Sequence, residues 1–160
     1  MKILIFTEGT IIMHKTAIGH SRDEIVKQVE NEEESVHDYQ SYVPVGNAVK
    51  KLQNWKNDGA EILYLTSRKK SEEVKQIQNI LKKFNFPDGQ LLFRQKNEEY
   101  KDVAEKIIPD VLIEDDCESI GGIDEMTITH VKPEIKKKIT SIPIKEFGGI
   151  DHLPDKISAL

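Results

Sequence analysis

Three short apolar runs in this chain each end in a cluster of acids and hydroxyls. Lys2-Ile3-Leu4-Ile5-Phe6 leads into Thr7-Glu8-Gly9-Thr10, Glu61-Ile62-Leu63-Tyr64-Leu65 into Thr66-Ser67-Arg68, and Asp110-Val111-Leu112-Ile113 into Glu114-Asp115-Asp116. Carboxylates and hydroxyls gathered at strand ends are the chemistry of a metal or phosphate site. Glu8 can serve as a general acid or base, directing a metal-bound water at phosphorus. Thr7 offers a hydroxyl, which needs a neighbouring base before it can attack. Taken singly, each group has a plainer role. Thr66 and Ser67 would cap a turn, and Asp115-Asp116 would open a loop. Their joint position is what points to a site.

The elements that must position these groups follow from the alternation along the chain. Further apolar runs are Gln90-Leu91-Leu92-Phe93-Arg94 and Met126-Thr127-Ile128-Thr129-His130-Val131. Several runs are apolar throughout, as in strands covered on both faces. Between them, Ala48, Leu52 and Trp55 share one helix face, with Gly59 as a C-terminal stop. Val74, Ile77, Leu81 and Phe84 mark a second helix, with Ser71 as its N-cap, Glu72 and Glu73 in the first turn, and Lys82 and Lys83 in the last. Tyr100, Ala104 and Ile107 mark a third, halted at Pro109. Strand and helix alternating at this spacing predict an α/β fold, an open doubly wound parallel sheet. With runs numbered in chain order as 2–6, 61–65, 90–94, 110–113 and 126–131, the expected order is 5-4-1-2-3. Ligands bind beyond the carboxyl ends of such strands where the order reverses, and all three polar ends converge there.

Residues 11–45 are too long for a plain loop and predict a small insertion after the first strand. Within them, 21–34 reads as a thinly amphipathic helix with an acidic end, either a solvated surface or a lid over the site. The tail from Pro133 accommodates a helix, a short edge strand at Ile142-Pro143-Ile144 and a terminal helix. His14, His20 and His37 lack metal-ligand spacing and read as surface or lid residues. The acids before Cys117 disfavour its thiolate.

Length and charge bound the classes. A chain of 160 residues accommodates one domain spanning 1–160. Its net charge of −5 argues against a nucleic-acid backbone binder. One cysteine excludes an internal disulfide framework and fits a reducing cytoplasm. The N-terminal apolar run is too short for a signal peptide, and no stretch reaches the roughly 18 apolar residues of a membrane span. The expectation is a cytoplasmic protein with no membrane and no nucleic-acid partner, its oligomeric state open.

From Ile3 to about Val131 the chain resembles the haloacid dehalogenase (HAD) superfamily, phosphatase type. There the first strand ends in Asp-x-Asp-Gly-Thr. Here Gly9-Thr10 matches and Glu8 stands for the second acid. The resemblance implies that Gly9, Thr10, Thr66 and Ser67 hold phosphoryl oxygens. It implies that Lys101 neutralises phosphate and nucleophile charge, with Lys96 the weaker alternative. It also implies Mg2+ held by Asp115, Asp116 and Glu8, which suits a cation that keeps several waters and takes one or two carboxylates. The substrate it implies is a small phosphorylated metabolite or nucleotide.

The resemblance breaks at one position. The first acid of the motif, the family's covalent nucleophile, is missing. Alignment on Gly9-Thr10 puts Phe6 there; alignment on the strand puts Thr7 there. Neither is a carboxylate. Two functions follow: a HAD-type hydrolase with weak or absent phosphate-ester hydrolysis through Glu8, Thr7 and Lys101, or a non-catalytic phosphometabolite-binding or regulatory protein. A phosphoacceptor receiver domain would need an early acidic pair and a central Asp that this chain lacks.

Overall fold

Ile3, Leu4 and Ile5 have no access to solvent because β1 (Lys2–Phe6) is the middle strand of five. The computed structural model describes all residues, 1–160. After β1 come β2 (Ile12–Met13), α1 (Arg22–Glu30), β3 (Val43–Pro44), α2 (Ala48–Asn57), β4 (Glu61–Leu65), α3 (Ser71–Lys83) and β5 (Gln90–Leu92). Then follow α4 (Tyr100–Ile107), β6 (Val111–Asp115), α5 (Thr127–His130), α6 (Pro133–Lys136) and β7 (Thr140–Ile144). The main sheet runs β5-β4-β1-β6-β7, parallel throughout, with Phe6 beside Leu65 and Ile5 beside Ile113.

Side chains of a strand alternate between faces, and the two faces carry separate cores. Ile3, Ile5, Ile62, Tyr64, Val111 and Ile113 pack against Leu52 and Trp55 of α2 and Ile77 and Ile80 of α3. Leu4, Phe6, Leu63, Leu65 and Leu112 pack against Val103 and Ala104 of α4 and Met126 and Ile128 at α5. A sheet covered on both faces is why its strands read as unbroken apolar runs. Trp55 is fully buried, and its indole N–H donates to the Pro154 carbonyl at 2.9 Å, anchoring the C-terminal tail.

The expected strand order differs at one edge. Residues 126–131 form no strand: Thr127–His130 is a helical turn, and β7 lies beside β6 instead. The cause is Glu114, whose buried carboxylate accepts the Thr127 and Ile128 amides at 2.7 and 3.0 Å. Those amides are the free donors of a helix start and cannot join a ladder. Pro143 fits β7 because an edge strand tolerates a missing N–H.

Other boundaries also shift. The helix expected over 21–34 ends at Glu30, because Glu32 takes a positive φ of 51° and Glu34–His37 forms a separate 3-10 turn. Ser21 caps α1 through a reciprocal box with Glu24. In α3, Lys70 occupies the cap position and Ser71 is the first helical residue. Segment 11–45 leaves the sheet through β2 and returns through β3, which pair antiparallel. His14 is buried rather than at the surface: its Nε2 lies 2.8 Å from Gln28 Oε1, tying β2 to α1, and its ring packs edge-on to Tyr42 and Phe147. His20 is exposed beside Glu24. No helix is long and apolar enough to cross a membrane.

Candidate functional site

Beyond the carboxyl ends of β1, β4 and β6 lies a cleft of about 810 Å³. The strand ends supply Phe6, Glu8, Gly9, Ser67, Arg68 and Asp115; α4 and the loop before it supply Arg94, Tyr100 and Lys101. Segment 11–45 adds Val29, Val36, Tyr39 and Tyr42 to the wall. The Arg22 guanidinium on α1 pairs with Glu118 beyond β6, tying the insertion to the opposite rim.

The loop at the end of β1 is a tight turn: the Thr7 carbonyl accepts the amides of Thr10, Ile11 and Ile12. Gly9 has φ +78°, and a Cβ there would stand 2.9 Å from Asp115 Oδ2, so glycine is required twice over. The turn delivers Glu8 to the end of β4. Its carboxylate accepts the Thr66 hydroxyl at 2.7 Å and the Ser67 amide at 3.3 Å, and Arg68 Nε lies 3.5 Å away. The Thr7 hydroxyl also donates to Glu8. A carboxylate of the chain itself thus sits among the donors that the sequence offered to a phosphoryl group.

Phe6 and Thr7, the two residues that alternative alignments place at the missing acid, face different surroundings. Phe6 reaches the cleft and meets the Tyr100 ring edge-to-face, centroids 5.1 Å apart. Thr7 is fully buried, its hydroxyl also 3.3 Å from the Leu65 carbonyl. Thr10 and Thr66 are buried behind the wall, Thr10 donating to Asp115 at 3.0 Å. Asp115 also accepts the Cys117 amide at 3.0 Å, and burial raises its carboxyl above the ordinary range. Burial likewise raises Glu114, and raises Glu146 with added repulsion from Asp115 and Asp116. Burial and the same acids push the Cys117 thiol far up, leaving it protonated.

Asp116 is turned out of the cleft, accepting the Glu146 amide at 3.1 Å and lying 3.1 Å from Lys145 Nζ. Lys101 lines the cleft with Nζ 2.8 Å from Glu99, which raises its pKa. Lys96 is exposed on the loop outside it. Of the three acids expected to hold Mg2+, Asp115 alone is free of a basic partner. Glu8 is committed to Thr66, Ser67 and Arg68, and no three histidine, cysteine or carboxylate side chains are grouped to hold an ion. Glu8 and Asp115 line the cleft, and Asp116 does not.

Four wall residues were not among the expected site residues. Glu146 reaches Gly9 and Asp115 from beyond β7, its carboxylate held by the Ser119 amide and hydroxyl, both at 2.8 Å. Tyr39 carries the Arg68 guanidinium 4.6 Å above its ring, and Tyr100 carries Arg94 at 3.8 Å. Arg94 Nη2 approaches the Ser67 carbonyl at 3.4 Å, and its buried Nε has no acceptor.

Fold and cleft together define an α/β, Rossmann-like domain with a cleft at the switch between β1, β4 and β6. No protein-family model matches the chain, and no curated protein does. Among solved structures, a chain of the Pnkp1/Rnl/Hen1 RNA repair complex superposes on 91% of this one with a TM-score of 0.52 at 15% identity. This chain spans 43% of that chain's length. The likeness is one of fold.

Proposed function

We propose that this is a HAD-like protein that binds a small phosphorylated metabolite or nucleotide without hydrolysing it. The observation that carries the reading is the end of β1. Of the two residues the family resemblance leaves for the nucleophilic carboxylate, Phe6 packs against Tyr100 and Thr7 is buried, and the next acid, Glu8, is held by Thr66, Ser67 and Arg68. A phenyl ring neither attacks phosphorus nor ligates Mg2+, and a threonine hydroxyl needs a base before it can attack, so covalent transfer through a carboxylate has no starting group. Glu8 would have to leave its donors to act as an acid or base. What persists is a cleft with aromatic walls and three cationic side chains, in the size range of small-molecule sites.

The test is hydrolysis of a generic phosphate ester with Mg2+ present, by the wild-type protein and by Phe6→Asp and Thr7→Asp. The expected result is no release by the wild type. Gain of release by Phe6→Asp alone would support Phe6 as the vacant position. Release by the wild type that Asp115→Asn abolishes would overturn the reading.

A further inference from the structure

Three cations line the cleft, and they differ in what holds them. Arg68 has Glu8 and the Tyr39 hydroxyl, and Lys101 has Glu99. Arg94 has no carboxylate partner. Its guanidinium carbon lies 3.8 Å from the Tyr100 ring centroid, its one hydrogen bond is the long approach to the Ser67 carbonyl, and its buried Nε–H donates to nothing. A buried donor left without an acceptor is costly, and buried polar groups in folded proteins are almost always satisfied. The contact with Tyr100 restrains the planar fork, so less freedom is lost when it meets an anion.

From this we propose that Arg94 is the anion receptor of the cleft, taking the phosphate of a mononucleotide. The proposal rests on the binding reading above and names its ligand class. The neighbouring donors, Thr66 and Ser67, already hold the Glu8 carboxylate. An incoming phosphate therefore meets Arg94, which is joined to the same loop through the Ser67 carbonyl. Arginine suits this role because its fork matches two phosphate oxygens at once. Phosphate alone would leave most of the 810 Å³ unfilled, and Phe6, Tyr39, Tyr42 and Phe147 contribute aromatic atoms to the wall, Phe147 being the most exposed of the four. Nucleobases stack on such rings whatever their sequence identity. Acids outnumber cations in the wall, which disfavours a triphosphate more than a single phosphate held at Arg94.

The experiment is calorimetric titration of the full chain with AMP, ATP, adenosine, ribose 5-phosphate and inorganic phosphate, repeated with Arg94→Gln and Arg94→Lys. The wild type is expected to bind AMP more tightly than the other four. Arg94→Gln should weaken AMP about 10- to 100-fold and leave adenosine unchanged. Arg94→Lys, which keeps the charge and loses the fork, should fall between. AMP bound equally by wild type and Arg94→Gln would overturn the role of Arg94 while the binding reading stands. Ribose 5-phosphate bound as tightly as AMP would overturn the nucleotide class. Binding of none of the five by the wild type would overturn both this inference and the reading beneath it.

Discussion

Replacing Glu8 by alanine should destabilise the protein, and inorganic phosphate should reverse part of the loss. The bond from the buried Thr66 hydroxyl to the Glu8 carboxylate, at 2.7 Å, is charge-assisted and worth about 1.5–3 kcal/mol. The Ser67 amide, at 3.3 Å, adds about 0.5 kcal/mol. The Arg68 pair is partly exposed and 3.5 Å apart, so it contributes less than about 1 kcal/mol. The expected loss is therefore about 2–4 kcal/mol, or a fall of roughly 5–12 °C in melting temperature for a domain of this size. Glu8→Gln keeps one acceptor and should lose about half as much. Thermal unfolding followed by circular dichroism measures both. Phosphate added to Glu8→Ala finds the emptied donors and binds the folded state, raising its melting temperature by mass action. The same phosphate should have a smaller effect on the wild type, where the carboxylate is already in place. An alanine variant that melts within about a degree of the wild type would refute the idea that these donors hold Glu8 as a built-in anion.

Other consequences concern the acids and the loop. Burial raises the carboxyls of Glu114, Asp115 and Glu146 in the folded chain, so the folded state binds their protons more tightly than the unfolded state does. Their contribution to stability therefore grows as pH falls from neutral through their raised values, and levels off near the ordinary carboxylate range of about 4. Glu114→Gln should flatten that rise in a series of melting curves from neutral pH downward; an unchanged profile would contradict it. Gly9→Ala forces a side chain into a positive φ and against Asp115, and should cost about 1–3 kcal/mol, read as a lower urea midpoint at unchanged slope.

The central strands were legible because their burial on both faces leaves a plain mark. Residues 3–6, 62–65 and 111–113 are apolar without alternation, and Ala48, Leu52 and Trp55 fall on one helix stripe. The stretch 126–131 misled because Met126, Ile128 and Val131 are buried as strand residues would be. What made it helical was a carboxylate twelve or more residues away, Glu114, whose capping role depends on the tertiary fold. Glu146 was hidden for the same reason: it meets Asp115 and Gly9 only once β7 lies beside β6. Arg94 and Tyr100 read as a strand end and a core helix residue. β5 stops at Leu92, however, and the loop that follows swings Arg94 onto the Tyr100 ring at the cleft wall. The absence of an acid at both Phe6 and Thr7 was visible in the sequence; the packing of Phe6 against Tyr100 was not.

The claim that this chain binds a phosphate ester and does not cleave it is tested most directly by following the ligand itself. Stoichiometric protein incubated with AMP and Mg2+ can be observed by 31P NMR for longer than any enzymatic turnover would need. The expected result is a phosphate resonance broadened or shifted by binding, with AMP intact at the end. Free inorganic phosphate accumulating with the wild type, and not with Asp115→Asn, would contradict it.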